Sequence, residues 1–309
     1  MKLKIIVSAL FIMSFLTPFV VKADTVYFAQ PVFSGVSGKV FSDVATGNVL
    51  GIYSYGVGDI TNSFGGWAIS DFTGFNVGAP LSTYQSGAAS GVNTYGSTSV
   101  QMKGEYVGVM LNGFTGPANT AIKNIGYGRA GTNLYPWSSS LGGDPNVCIS
   151  FDLSVPQYYT EGAALYIVAS LYLIDKVTDK RFSLLITAWD NREVVTTEGY
   201  VGYDSNTYSY MYGTYFGSGS NFVTKRSASS NSLTGTVPSL NWMSACVSRS
   251  NVVNLINDAN SSTHGFGFST NPDNYLLESY GVQTESGEIG GKKGWVAAKI
   301  GALWMIRTN

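Results

Sequence analysis

The sequence predicts an all-β protein, an antiparallel two-sheet sandwich or jelly roll with one short helix. Three observations lead there. Apolar residues in the second half recur with a period of two, the first half is dense in glycine and aromatic residues, and only one short stretch carries helical spacing. The 309 residues include 37 glycines, 20 tyrosines and 16 phenylalanines. That composition suits pleated surfaces and tight turns.

The chain opens with Lys2 and Lys4, then an apolar run from Ile5 to Val21, then Val21-Lys22-Ala23. A basic leader, a short apolar segment and small residues before a junction are the marks of a cleaved export signal. Residues 1–23 are therefore expected to be a signal peptide cut near Ala23, leaving a secreted or periplasmic product over 24–309. That product reads as one β-sandwich domain. Without Lys2, Lys4 and Lys22, the 18 basic residues fall to 15 against 19 acidic ones, a net charge of −4. No Lys/Arg cluster offsets this, so nucleic acid is excluded as a partner on electrostatic grounds. The mature chain is not expected to span a membrane.

Residues 24–145 hold 22 of the glycines and only 10 charged residues, which reads as short strands joined by many turns. Next comes Val147 to Leu153, where odd positions are apolar and Cys148 shares the other face with Ser150 and Asp152. Cys246 has the same parity in Met243 to Ser248. The two cysteines are expected to form a disulfide, stable in an oxidising compartment.

Ala163 to Asp175 and Phe182 to Asp190 alternate as a hairpin, with Leu165, Ile167, Leu171 and Leu173 facing one core beside Leu184 and Ile186. Pairing Asp175 with Phe182 sets Leu173 opposite Leu184 and Leu171 opposite Ile186. The reverse face carries Tyr166, Ser170, Tyr172, Thr187 and Trp189. Tyr208, Tyr210 and Tyr212 then form a period-2 row, with Tyr200, Tyr203 and Tyr215 nearby. The helix begins after Ser250 as N-cap and uses Val252, Val253 and Ile256. Last, Val296, Ala298, Ile300, Ala302, Trp304 and Ile306 keep even parity without interruption, as one long strand.

The only histidine, His264, excludes multi-histidine zinc sites, and neither a G-x-S-x-G elbow nor a Walker loop is present. No cofactor is predicted, with calcium the one ion left open. Carboxylates remain, since glycoside hydrolysis needs two of them across a cleft. Glu278 shares parity with Leu276, Tyr280 and Val282 and is the first catalytic candidate. Glu285, in the following Gly-rich segment with Glu288, is the second. For ligand binding, aromatic rings stack on sugar faces and their hydroxyls hydrogen-bond. The candidates are Tyr166, Tyr172, Trp189, Tyr208, Tyr210 and Tyr212, with Asp190 and Arg192 for polar contacts; Asp190-Asn191-Arg192 also reads as a strand-ending turn with a local ion pair.

With Leu171–Arg192 as a hairpin and Tyr275–Arg307 as strand, turn and final core strand, the chain resembles the concanavalin A-like lectin and glucanase jelly rolls. That resemblance implies a poly- or oligosaccharide partner. Glucanases of this kind carry a nucleophilic Glu in an aromatic-rich strand and a second Glu late in the chain, and Ser183 to Asp190 holds no Glu. The expectation is therefore a secreted carbohydrate-binding, lectin-like protein. A polysaccharide hydrolase or lyase is the alternative, and a structural surface or outer-membrane β protein is the third.

Overall fold

The computed structural model describes residues 134–308 except 142, 205–207, 218, 226–231, 262, 264 and 288; before residue 134 it describes only the backbone of eight strands. The expected signal peptide and its expected cleavage point, His264 and Glu288 lie outside the described residues. The early strands are β1 (Thr25–Phe28), β2 (Ser37–Lys39), β3 (Asn48–Ser54), β4 (Trp67–Asp71), β5 (Gly91–Tyr95), β6 (Thr98–Lys103), β7 (Tyr106–Asn112) and β8 (Asn119–Asn124). They are followed by β9 (Asn146–Thr160), β10 (Ala164–Asp175), β11 (Lys180–Asp190), β12 (Gly199–Asp204), β13 (Ser209–Tyr215), β14 (Thr224–Lys225) and β15 (Val237–Ser248). Helix α1 (Arg249–Ser261), β16 (Tyr275–Gly287) and β17 (Gly294–Thr308) complete the order.

These strands form two sheets. One has nine strands in the order β12-β13-β11-β10-β16-β8-β4-β3-β2. The other has eight, ordered β14-β15-β9-β17-β7-β6-β5, with β1 paired to β17. A mostly β molecule in two sheets with one helix is the sandwich that the alternation predicts. The one departure from antiparallel pairing among the named strands is β13, which runs parallel to β11.

The core lies between the sheets. Val147, Ile149, Phe151, Leu153 and Val155 of β9 meet Leu165, Ile167, Leu171 and Leu173 of β10, with Tyr280 and Val282 of β16 beside them, all essentially without exposure. Full burial of such side chains is worth about 1.5–3 kcal/mol each, so the alternation fixes which face turns inward. Cys148 and Cys246 are directly opposite in the β9–β15 ladder and are joined as a disulfide.

The hairpin forms on the expected faces in a different register. Asp175 pairs with Lys180, Leu173 with Phe182 and Leu171 with Leu184, a shift of two residues. A shift of two preserves every face. Its cause is the turn: the Asp175 carboxylate accepts from Val177 N at 3.0 Å and Thr178 Oγ1 at 2.6 Å, while its carbonyl accepts from Asp179 N at 2.8 Å. Asp179 takes φ 56°, which closes the loop within four residues.

One-residue irregularities alter three other expectations. Ile167 pairs with Trp189 but Val168 pairs with Thr187, so Ala188 is an inserted bulge residue that turns Trp189 from the outer face into the core. In β16, Tyr172 opposes Ser279 and Leu173 opposes Leu277, leaving Glu278 as the inserted residue. In β17 the register slips between Gly301 and Trp304; Met305 is then buried while Trp304 and Ile306 are half-buried. The even parity of that strand therefore does not run uninterrupted.

Helix α1 spans 13 residues and buries Val252, Leu255, Ile256 and Ala259, an i, i+3, i+4, i+7 stripe. Its cap is Ser248, not Ser250: the Ser248 hydroxyl accepts from Asn251 N at 3.0 Å, the N3 position for a helix starting at Arg249. Asn251 and Asn260 tie the helix to the carbonyls of Phe222 and Phe268. Between β16 and β17, Gly290 and Gly291 take φ 59° and 80° inside an Ile289–Lys292 bridge, the positive pair that a two-residue hairpin turn requires.

Candidate functional site

The outer face of the nine-stranded sheet carries the residues with chemistry. Because Leu165, Ile167, Leu171 and Leu173 point into the core, Tyr166 and Tyr172 of β10 stand on the opposite side, half-buried among their neighbours. On β16 the inward Tyr280 and Val282 leave Gln283 and Glu285 outward. In register, Tyr166 lies opposite Asp190 on one flank and Glu285 on the other.

Tyr166 is the electrostatic centre of this group. Burial pushes its phenol well above the ordinary tyrosine range, and the charge of Glu285 and a hydrogen bond to that carboxylate push it further. Arg192 opposes the shift and Asp190 adds to it. The Tyr172 phenol is raised as well, first by burial and then by Glu285, with Asp204 and Glu278 contributing. It donates to Gln283 Oε1 at 3.0 Å.

Asp190 and Arg192 form a local pair that fixes both oxygens of the carboxylate. Oδ1 accepts from Arg192 N and Nε at 2.9 Å each, and Oδ2 accepts from Nη2 at 2.6 Å. Asp190 is buried, while about half of the Arg192 side chain, 53 %, remains exposed. The hydrogen bonds to Asp190 raise the guanidinium pKa.

Glu278 is bound to Arg181 at 2.8 Å. It does not share the inward face of Tyr280 and Val282, because it is the bulge residue. Seven residue steps of strand separate it from Glu285, about 23 Å at the usual rise of 3.3 Å per residue. A glycosidic bond needs its carboxyls within about 5–9.5 Å. The two glutamates are therefore not brought together as a pair.

The aromatic row is also redistributed. Trp189 is fully buried, packs edge-on against Tyr158 at 5.3 Å and donates Nε1 to Gly235 O at 2.8 Å. Tyr210 and Tyr212 pair with Phe182 and Leu184, so both take the core-facing parity of β11. Tyr210 packs on Phe266 at 4.7 Å, and Tyr212 is buried with its hydroxyl bonded to Asp258 of α1. Of that row only Tyr208, 67 % exposed with φ 54°, faces solvent. The open-face expectation thus fails for Trp189, Tyr210 and Tyr212; Tyr166 and Tyr172 stand on the outward side half-buried, and Tyr208 is exposed.

Gln283 and Arg181 were absent from the sequence expectations. A signal for the first was present: Ser279, Gly281, Gln283 and Glu285 form a period-2 row opposite Tyr280 and Val282. Arg181 had none, since its partner Glu278 is placed by a bulge. Among the described residues, no three His, Cys, Asp or Glu side chains gather as a metal site, and no helix is long and apolar enough to cross a membrane.

No protein-family profile matches this chain, and neither does any curated protein. Solved structures with a similar arrangement include endoglucanase 3 of family GH12 from Trichoderma harzianum, at 9% identity over 89% of this chain and 98% of that one, TM-score 0.32. The family 11 xylanase from Neocallimastix patriciarum matches at 10% identity over 80% and 93%, TM-score 0.33. The native family 12 xyloglucanase from Bacillus licheniformis matches at 10% identity over 92% and 99%, TM-score 0.32. At these values the similarity assigns no residue of the site.

Proposed function

We propose that this protein is a carbohydrate-active jelly roll that takes a poly- or oligosaccharide on the outer face of its nine-stranded sheet and hydrolyses it, with Glu285 as the central carboxylate. The observation that carries this reading is the in-register trio Asp190, Tyr166 and Glu285. Two inter-strand spacings set the flanking backbones about 10 Å apart, the scale of the roughly 6.5–9.5 Å between the carboxyls of an inverting pair. Asp190, with both oxygens bonded to Arg192, is the member held in place on the far side of the Tyr166 ring. Glu285, accepting from the Tyr166 phenol, is the second carboxylate of the pair.

Hydrolysis stands ahead of lectin-like binding because the lectin reading rested on an aromatic platform. Three of its rings, Trp189, Tyr210 and Tyr212, pack inward, while the polar and carboxylate groups remain on the face. A lyase with a tyrosine base would need a phenolate, and both outer-face tyrosines are shifted against ionisation. The disulfide fits an exported chain, so we place the protein outside the cytosol after cleavage near Ala23.

The test is incubation of the purified protein with neutral and acidic polysaccharides, measuring retention and new reducing ends. Hydrolysis predicts reducing ends that Glu285→Gln abolishes while retention persists. Retention without reducing ends in the wild type returns the reading to a lectin; neither signal removes it.

A further inference from the structure

We propose that Gln283 is the residue of this face that selects the sugar, donating its side-chain amide to a glycan hydroxyl while Tyr172 holds that amide in place. The inference rests on the carbohydrate reading above and adds to it the group that recognises the ligand. Gln283 is the buried polar member of the outward row on β16, 5 % exposed, directly opposite Val168 on β10. Its Oε1 accepts from Tyr172 Oη at 3.0 Å. Among the described residues nothing accepts from its amide nitrogen.

An amide whose oxygen is occupied has one orientation left and two N–H groups to give. With its oxygen taken by Tyr172, the amide offers its N–H groups to a bound hydroxyl. Tyr172 is a constant donor in this arrangement, since burial and the charge of Glu285 keep its phenol protonated. Gln283 and Glu285 are two residues apart on one face of β16, about 7 Å along the strand. One pyranose ring covers that span, with one hydroxyl accepting from Gln283 and another donating to Glu285. Tyr172 is thus a positioning residue and Gln283 a ligand contact.

The experiment compares Gln283→Glu, Tyr172→Phe and the double variant, each with its melting temperature. The probes are soluble neutral β-glucan and xylan oligosaccharides, with affinity measured by calorimetry. Gln283→Glu keeps an oxygen for Tyr172 but loses the N–H donors, so affinity should fall at least about tenfold. Tyr172→Phe should weaken binding about fivefold, and adding it to Gln283→Glu should cost little more, because both act through one amide. Wild-type binding with unchanged affinity in Gln283→Glu, or a Tyr172→Phe effect confined to melting temperature, overturns the inference. Absence of wild-type binding to every probe overturns the carbohydrate reading itself and this inference with it.

Discussion

Tyr166 and Glu285 are directly opposite each other across the β10–β16 ladder, and the phenol is hydrogen-bonded to the carboxylate on the outer face of the sheet. The bond links a ring positioned by the inward leucines of β10 to an acid positioned by the inward Tyr280 and Val282 of β16. Removing the hydroxyl should therefore affect chemistry more than fold. Tyr166→Phe is expected to lower turnover about tenfold, the scale of one hydrogen bond to a charged group, with a melting temperature near that of the wild type. Steady-state rates on a polysaccharide cleaved under the proposed hydrolase activity check this; an unchanged kcat would detach Tyr166 from that proposal.

Trp189 behaves differently from what its sequence position suggests. It fills the core and bonds Gly235, so Trp189→Ala should cost about 3–5 kcal/mol of stability. Tyr208→Ala, on an exposed ring, should cost under about 1 kcal/mol. Denaturant unfolding of the two variants measures the contrast. Equal stability losses would contradict the placement of both rings.

The disulfide closes a separation of 98 residues between β9 and β15. In the chain-entropy model a loop of that size is worth about 4.7 kcal/mol. Replacing Cys148 and Cys246 together by Ser should lower the unfolding free energy by roughly that amount, and reductant should have no further effect on the variant. A variant as stable as the wild type would mean the bridge constrains nothing in the unfolded chain.

Six tyrosines, Tyr166, Tyr172, Tyr212, Tyr215, Tyr275 and Tyr280, have phenols raised above the ordinary tyrosine range, burial being the largest cause in each. Raised folded-state values mean that the unfolded chain loses these protons first. Their stabilising contribution is full below about pH 10 and is lost as pH rises above it. Absorbance at the phenolate band, followed alongside circular dichroism, should show a late ionisation step coincident with loss of structure. Complete reversible ionisation near pH 10 in a folded protein would refute this.

Legibility varied along the chain in a physically regular way. The cysteine pair, the hairpin faces and the position of Tyr166 and Tyr172 followed from alternation, since a two-residue register shift leaves faces unchanged. The placement of Trp189 did not, and neither did the outward turn of Glu278 or the late part of β17. Each depends on a bulge of one extra residue. The side-chain period in a strand is two, so a single insertion exchanges the faces of everything beyond it.

Tyr210 and Tyr212 show the other limit. A period-2 row identifies a strand, yet it does not say which side of the row is buried. Parallel pairing with β11 set that, aligning both rings with Phe182 and Leu184. Local alternation and composition alone determined an all-β chain, its inward leucines and its disulfide. Only the tertiary structure decided which aromatics reach solvent and which acids meet, because bulges and strand partners act through pairings that neighbouring residues in sequence do not encode.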